Sequence, residues 1–444
     1  MLALGSYEGV LVGWGVYYGI AGVSSVRVSL EIGLKVHESK VTCLDACGRS
    51  LSSGSADESL RVFDLRSRRA VGSLQQHSGT VLCQAFVPPG RSLLSGGEDG
   101  SIIVWRCSDW VSLLVMKGHK GGVVALAAHP SGRIALSVGR DRTLRLWDLT
   151  KGRQVHQQAL GCATEGREAL WSPDGSLFLV LFDSSVCVHS GEDGSLLQTV
   201  VPPVGRGVGA ANPNPRLNTM RLLRGATGST SVLAVACEGG DVLLWDVASL
   251  AQGAVPPCAV LPTGHSKRGK CLAAIYAPLH PEAPQAAGKR KAPKEEEKKE
   301  EEEEEDDEAE VEEEEEDDEE GEEDEGEGRG SGVGAPKISG LAKLSAEEVT
   351  FTAKGPRSGA CVGSSSGLLA TVGGDGIVFL WNAWEVAEAV ASLCAKPLKK
   401  SKKGGDAAAS GGSAAAAVDI LALQPLATLK AASGIRPTTL ASAE

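Results

Sequence analysis

Residues 119–147 read HKGGVVALAAHPSGRIALSVGRDRTLRLW, and residues 77–105, one unit earlier, read HSGTVLCQAFVPPGRSLLSGGEDGSIIVW. In both stretches the first His is followed by Ser after 18 residues, by Asp after 22 and by Trp after 28. Apolar and β-branched residues alternate or run together between turns of Gly, Ser and Asp, which is typical of short β-strands. This internal period of about 42 residues predicts a repeat architecture.

The same marks recur in two further units. The unit that begins at His37 is two residues shorter before its serine and has Phe63 at the Trp position, and a late unit keeps the last three marks. The residues at the marked positions are His37, Ser53, Asp57, His77, Ser95, Asp99, Trp105, His119, Ser137, Asp141, Trp147, Thr371, Asp375 and Trp381.

These units resemble the WD40 repeat of β-propellers, and LWDL at 146–149 is the clearest copy. The resemblance implies an all-β, seven-bladed WD40 β-propeller with four antiparallel strands per repeat, in which closure of the ring protects the sheet edges. The seven blades are counted at the Trp position, which is occupied by Trp14, Phe63, Trp105, Trp147, Val188, Trp245 and Trp381.

The two ends of the chain are predicted to share one blade. MLALGSY and GVLVGW at the N-terminus read as middle strands, so their blade lacks an innermost strand. GIRPTTLASAE at the C-terminus is the predicted replacement.

Two inserts divide the predicted propeller. We expect six blades and the start of the seventh in 1–280, a disordered insert in 281–345, the rest of blade seven in 346–395, a basic and Ala/Gly-rich insert in 396–417, and the closing segment in 418–444. Residues 295–327 of the first insert contain 27 acidic residues and two lysines, a local charge of −25. Such a tract has too few apolar side chains to fold alone.

The net charge of −13 hides two opposite parts, because the chain without residues 295–327 carries +12. A basic remainder favours a phosphate-rich partner. The 11 cysteines are scattered, and the one close pair, Cys43 and Cys47, has no second pair at the spacing of a zinc site. We expect no metal, no cofactor and no membrane segment.

The recurring His, Ser/Thr, Asp and Trp residues are interpreted as structural. A catalytic site needs one constellation, whereas this one recurs in four units, and no phosphate loop, HExxH pair or GxSxG elbow is present. The chain is therefore predicted not to be an enzyme. Lys117, Lys120, Arg140 and Arg142, in loops beside the strands, are candidate partner-binding residues, with ordinary solvated charges as the alternative.

Several stretches allow a narrower match. GHKGGVVALAAHPSGRIALSVGRDRTLRLWDLTKGR, at 118–153, together with LALGSYEGVLVGW and SSGSADESLRVFDLRSRRAVGSLQQHSGTV, resembles the p21-activated-kinase-interacting protein family. That family consists of WD-repeat assembly factors of the large ribosomal subunit. The resemblance implies a nucleolar, non-enzymatic scaffold, monomeric within a larger complex, whose partners are proteins of the pre-60S particle and rRNA.

Two other functions remain open on the sequence. One is a signalling adaptor that binds and inhibits a p21-activated kinase, as the same resemblance implies for animals. The other is a chromatin or histone-binding propeller that uses its acidic tract to hold basic proteins. The clusters GKRKAPK (288–294) and KPLKKSKK (396–403) are candidate nuclear-import signals or nucleic-acid contacts, with solubilising lysine-rich loops as the alternative.

Overall fold

The apolar runs of each repeat form short antiparallel strands in the computed structural model of the chain. The structure describes residues 1–18, 25–161, 164–202, 216–224, 231–251, 259–265, 269–278, 349–352, 365–394, 419–421, 423, 425–430 and 436–442. The predicted inserts 281–345 and 396–417 therefore lie outside the described residues.

Where the structure describes the first half of the chain, its regular elements are all strands. They are β1 (Leu2–Ser6), β2 (Val10–Tyr18), β3 (Ser25–Lys35), β4 (Val41–Cys47), β5 (Ser50–Ser55), β6 (Ser59–Asp64), β7 (Arg69–Gln75), β8 (Val81–Val87), β9 (Ser92–Gly97), β10 (Ser101–Arg106), β11 (Ser112–Lys117), β12 (Val123–Ala128), β13 (Ile134–Gly139), β14 (Thr143–Asp148), β15 (Arg153–Ala159), β16 (Glu168–Trp171), β17 (Leu177–Leu181), β18 (Val186–Ser190) and β19 (Leu196–Val200).

In the described part of the second half, two helices interrupt the strands. The elements there are β20 (Leu217–Arg224), β21 (Ser231–Cys237), β22 (Val242–Asp246), α1 (Val247–Ala251), β23 (Ala259–Leu261), β24 (Gly269–Pro278), β25 (Val349–Thr352), β26 (Ser365–Gly373), β27 (Ile377–Asn382), α2 (Ala383–Cys394), β28 (Asp419–Ile420), β29 (Ala427–Lys430) and β30 (Pro437–Ser442).

The described strands form seven sheets, which are the blades of a β-propeller. From the innermost strand outward, blade one is β30-β1-β2-β3 with β25 added outside, and blades two to five are β4–β7, β8–β11, β12–β15 and β16–β19. Blade six is β20–β23 with β28 added outside, and blade seven is β24-β26-β27-β29. The innermost strands contact one another in ring order. The predicted seven-bladed propeller is confirmed.

Antiparallel pairing sorts the turns onto two faces. The turns between second and third strands, and the connections from one blade to the next, lie on one face, which we call the upper face. The turns between first and second strands, and between third and fourth strands, lie on the opposite, lower face.

The ring closes by pairing of the two ends of the described chain. β30 runs antiparallel to β1, with Leu440 opposite Leu4 and Ala441 opposite Ala3. Leu440 packs between blades seven and one, whereas Ala441 packs between blades one and two. The C-terminal segment thus provides the missing innermost strand of blade one, as the sequence predicts.

The core consists of seven clusters of buried side chains among the described residues, one between each pair of neighbouring blades. The aromatic residue on the third strand packs toward the preceding blade. Trp105 lies between blades two and three, and Trp147 lies between blades three and four. Burial of these apolar side chains therefore holds neighbouring blades together.

The last blade differs from the prediction in its outer part. The segment 346–395 was predicted to complete blade seven, but β25 pairs with β3 of blade one, and the outer strand of blade seven is β29, within 418–444. After β27 the chain forms α2 instead of a strand. Val386, Ala387 and Val390 of this helix are buried in the cluster between blades six and seven, while β29 supplies the outer strand of blade seven.

The residue at the Trp position of blade five lies one position later in the chain than predicted. A bulge follows Val188, and His189 pairs with Phe178 in the register that Trp147 has with Ala135. His189 therefore occupies the Trp position that was predicted for Val188. Its imidazole stacks on the Phe178 ring at a centroid distance of 4.8 Å, which preserves an aromatic packing contact.

Candidate functional site

The marked residues of blade four come together in one buried network. His119 precedes the innermost strand, Ser137 lies on the second, Asp141 lies in the turn after it, and Trp147 lies on the third. His119 Nδ1 lies 3.0 Å from Asp141 Oδ1, and His119 Nε2 lies 2.7 Å from Ser137 Oγ. The indole N–H of Trp147 donates to Ser137 Oγ at 2.8 Å.

The direction of donation follows from the two ends of this network. A carboxylate only accepts, so Nδ1–H of His119 donates to Asp141 and Nε2 accepts from the Ser137 hydroxyl. The hydroxyl in turn accepts from the indole. Every polar atom is used, and a Cβ on Gly139 would lie 2.4 Å from His119 Nδ1, so the network leaves no room for a substrate.

Blade three repeats this geometry. His77 Nε2 lies 2.8 Å from Ser95 Oγ, His77 Nδ1 lies 3.1 Å from Asp99 Oδ2, and Trp105 donates to Ser95 at 2.8 Å.

Blade two keeps three of the four groups. His37 lies 2.8 Å from Ser53 Oγ and 2.9 Å from Asp57 Oδ2. Phe63 has no donor for the serine, and Ser53 Oγ instead lies 3.4 Å from the carbonyl of Arg61.

Blade seven contains a fourth network whose histidine was missed in the sequence. His265 Nε2 lies 3.1 Å from Thr371 Oγ1, and its Nδ1 lies 3.4 Å from Asp375 Oδ1. Trp381 donates to Thr371 at 3.3 Å. The signal was the Gly-His pair at 264–265, the same dipeptide as at 118–119, but the predicted insert separates it from its partners in the sequence.

The electrostatics of the networks favour a neutral histidine beside an ionised aspartate. Burial lowers the pKa of His37, His119 and His265, although the neighbouring aspartate opposes this. Burial alone would raise the pKa of Asp141. Hydrogen bonds from the Lys120 backbone N–H and the Thr143 hydroxyl, and then from His119, outweigh it and hold this pKa at about 2.

The four predicted partner-binding residues all lie on the upper face and are exposed. Lys117 ends β11, Lys120 follows it, and Arg140 and Arg142 flank the Asp141 turn. Arg140 is already paired with Glu98 at 2.8 Å, which joins the upper turns of blades three and four. The structure therefore brings these side chains to one face, with one of the four charges engaged by a neighbouring blade.

A central channel with a volume of about 800 Å³ is lined by residues of the innermost strands. Its wall holds Asp45, whose carboxylate accepts from the backbone N–H of Phe86 at 2.7 Å and so joins blades two and three. Glu168 pairs with Arg221 and accepts from the Met220 N–H at 2.7 Å, which joins blades five and six. Asp45, Glu168 and Arg221 thus connect innermost strands of neighbouring blades.

No group of three or more His, Cys, Asp or Glu side chains in the described part of the chain is arranged to hold a metal ion. Among those same residues, no helix is long and apolar enough to cross a membrane.

Three stretches of the chain, residues 28–64, 68–106 and 110–148, match the WD40 model, described as WD domain, G-beta repeat. No curated protein matches the chain. Each matched stretch runs from the outer strand of one blade to the third strand of the next, so one sequence repeat joins two blades. The chain thus carries WD40 repeats, and its propeller is of the kind that serves in protein–protein interaction.

Proposed function

We propose that this chain is a non-enzymatic scaffold that assembles the large ribosomal subunit in the nucleolus. The observation that carries the scaffold part is the recurrence of one His–Asp–Ser/Thr arrangement in four blades, in each of which the histidine contacts the Ser or Thr hydroxyl. Such repetition supports a structural role for the polar clusters. It leaves the two faces and the rim of the propeller for partners.

The ribosomal part of the proposal rests on the resemblance of residues 118–153 to the p21-activated-kinase-interacting protein family. HPSGRIALSVGRDRTLRLWDL, at 129–149, is more specific than the repeat itself requires, since the fold needs only the marked positions and an apolar pattern. The basic charge of +12 outside residues 295–327 agrees with a particle rich in RNA.

Sedimentation of a cell extract tests the proposal. We expect the tagged protein to co-migrate with pre-60S particles and to move to the top of the gradient after RNase treatment. Its depletion should reduce 60S subunits relative to 40S. Co-migration with a p21-activated kinase, or with nucleosomes, would support one of the two alternative functions and contradict this one.

Nucleolar location has a separate test. The clusters at 288–294 and 396–403 should direct nuclear import, so their joint deletion should leave the protein in the cytoplasm. Concentration of that variant in the nucleolus would show that another signal is used.

A further inference from the structure

Three equivalent turns on the lower face carry the same Gly-Arg pair. The pairs are Gly48-Arg49, Gly90-Arg91 and Gly132-Arg133, in the turns between the first and second strands of blades two, three and four. The three glycines have positive φ angles of 57°, 95° and 70° respectively, a backbone conformation that favours glycine.

Backbone hydrogen bonds prove that the three arginines are structurally equivalent. The carbonyl of Arg49 accepts from Leu65 N–H at 2.8 Å. Those of Arg91 and Arg133 accept from Cys107 and Leu149, both at 2.9 Å. All three side chains are therefore placed at the same height on three consecutive blades, and all three residues are exposed.

The second set of lower turns adds more positive charge. The turns between third and fourth strands of the same blades, with the strand ends that flank them, hold six further cations: Arg66, Arg68, Arg69, Arg106, Lys151 and Arg153. Three acidic residues accompany them in these turns: Asp64, Asp109 and Asp148. The lower face of blades two to four therefore carries nine cations against three anions.

Few of these cations are neutralised within the described residues. Arg106 pairs with Asp109 at 3.1 Å and Arg68 with Glu31 at 3.2 Å, whereas Arg49 lies 3.9 Å from Asp64. No ion pair with a described residue engages Arg66, Arg69, Arg91, Arg133 or Arg153.

The positive surface ends at blade five. Ser176 occupies the arginine position there, since its carbonyl accepts from Gly191 N–H at 2.7 Å. The two lower turns of blade five carry Asp174, Glu192 and Asp193 and no cation. Among the described residues, the basic region therefore ends between blades four and five.

We propose that the lower face of blades two to four, which we call the arginine face, binds the phosphate backbone of RNA. Eight of its nine cations are arginine, whose planar guanidinium matches phosphate oxygens in pairs and stacks on exposed bases. RNA offers a charge at every nucleotide and stacking surfaces as well. This inference deepens the proposed function and rests on it for the choice of RNA.

The test compares two variants of the full chain with equal charge loss. Arg49→Ser, Arg91→Ser and Arg133→Ser together remove the equivalent arginines, with the residue that blade five has at this position. Lys35→Ser, Lys40→Ser and Arg216→Ser together remove three exposed cations from the upper face, none of them a candidate partner-binding residue. Binding of a single-stranded RNA of about 30 nucleotides is measured by fluorescence anisotropy at several salt concentrations. Melting temperatures establish that both variants are folded.

We expect the lower-face variant to bind RNA about tenfold more weakly or worse, with the log–log salt slope reduced by about two. The upper-face variant should change the Kd less than about threefold. Equal loss in both variants, or no loss in the lower-face variant, would overturn the proposal. Binding of polyglutamate in place of RNA, sensitive to the same three arginines, would overturn it in favour of an acidic protein partner.

This result is separable from that of the sedimentation test, because it uses purified protein. If the protein binds RNA through the arginine face but does not co-migrate with pre-60S particles, the ribosomal function fails and the RNA surface stands. If it co-migrates while the lower-face variant binds RNA normally, the arginine face fails and the ribosomal function stands.

Discussion

The imidazole Nε2 of His265 and the hydroxyl of Thr371 lie 3.1 Å apart although 106 positions separate the two residues in the chain. The contact joins the connection before blade seven to the second strand of that blade, across the predicted insert. It makes blade seven equivalent to blades two, three and four. The polar network is therefore a property of the blade and not of a continuous stretch of sequence.

The first prediction concerns this split network. His265→Ala should lower the free energy of unfolding by about 1–3 kcal/mol, because Thr371 and Asp375 lose a buried partner. His119→Ala, in an uninterrupted repeat, should have a similar effect. Exposed His156→Ala is the control. Urea denaturation measures all three, and an unchanged stability for His265→Ala would contradict a structural role for the network of blade seven.

The second prediction concerns Asp141, which accepts from His119, the Thr143 hydroxyl and the Lys120 backbone N–H. Asp141→Ala should destabilise the protein by about 1–3 kcal/mol through these unsatisfied donors. The control is Asp109→Ala, since that residue is exposed. The pKa of Asp141 is lowered to about 2, so its contribution is complete above the unfolded pKa near 3.8 and is lost as the pH falls toward 2. Normal thermal stability of the variant would count against the structural interpretation.

Sequence reasoning identified the networks where the repeat is uninterrupted. His77 and His119 were found because fixed spacing connects them to their aspartates. His265 was missed because the insert removed that spacing. The sequence could not show which blades β25 and β29 join. A sheet edge can pair with any extended segment that reaches it, and the local apolar pattern of a strand does not specify its partner strand. Arg49, Arg91 and Arg133 share a visible Gly-Arg pair, but only the strand topology shows that they point to one face.

The third prediction concerns Asp45 in the channel wall. Burial raises its pKa to about 6, although backbone N–H groups of Phe86 and Ala46 oppose this. The folded state therefore holds the proton more tightly than the unfolded state, and stability present below about pH 4 is lost as the pH rises through 6. The free energy of unfolding of Asp45→Asn, measured relative to that of the wild type, should therefore be roughly 1–3 kcal/mol higher at pH 7.5 than at pH 4.

Urea denaturation at pH 4, 5, 6 and 7.5 measures this difference, with Asp109→Asn as the control for an exposed carboxyl. The change should be confined to the interval between about pH 4 and 6, because both states are ionised above it. A difference between wild type and Asp45→Asn that is constant over this interval would show that Asp45 is not buried as the structure describes.

The fourth prediction concerns closure of the ring. Leu440 on β30 is 2% exposed and packs with Leu4 between blades seven and one. Leu440→Ala should cost about 2–5 kcal/mol, since it leaves a cavity at the strand that closes the ring. Leu196→Ala removes the same atoms from a residue that is 52% exposed, and it should change stability little. If both variants melt at the wild-type temperature, β30 does not contribute to closure.

The last prediction concerns residues 295–327, whose charge of −25 accompanies a remainder of +12 in the same chain. Three uses of this tract make different predictions. If it screens the basic surface from non-specific RNA, its deletion should tighten RNA binding at low salt, and the gain should disappear in the variant that lacks Arg49, Arg91 and Arg133. If it captures basic proteins, deletion should remove them from a pull-down with RNA affinity unchanged.

Both of these uses are electrostatic and should weaken steeply with salt, because the Debye length falls to about 8 Å at physiological ionic strength. A matched control replaces 295–327 with a Gly/Ser segment of equal length, which keeps the connection and removes the charge. The third use is a solvating spacer. It predicts that neither RNA affinity nor the set of bound partners changes in the deletion or in the replacement, and that outcome would exclude screening and capture together.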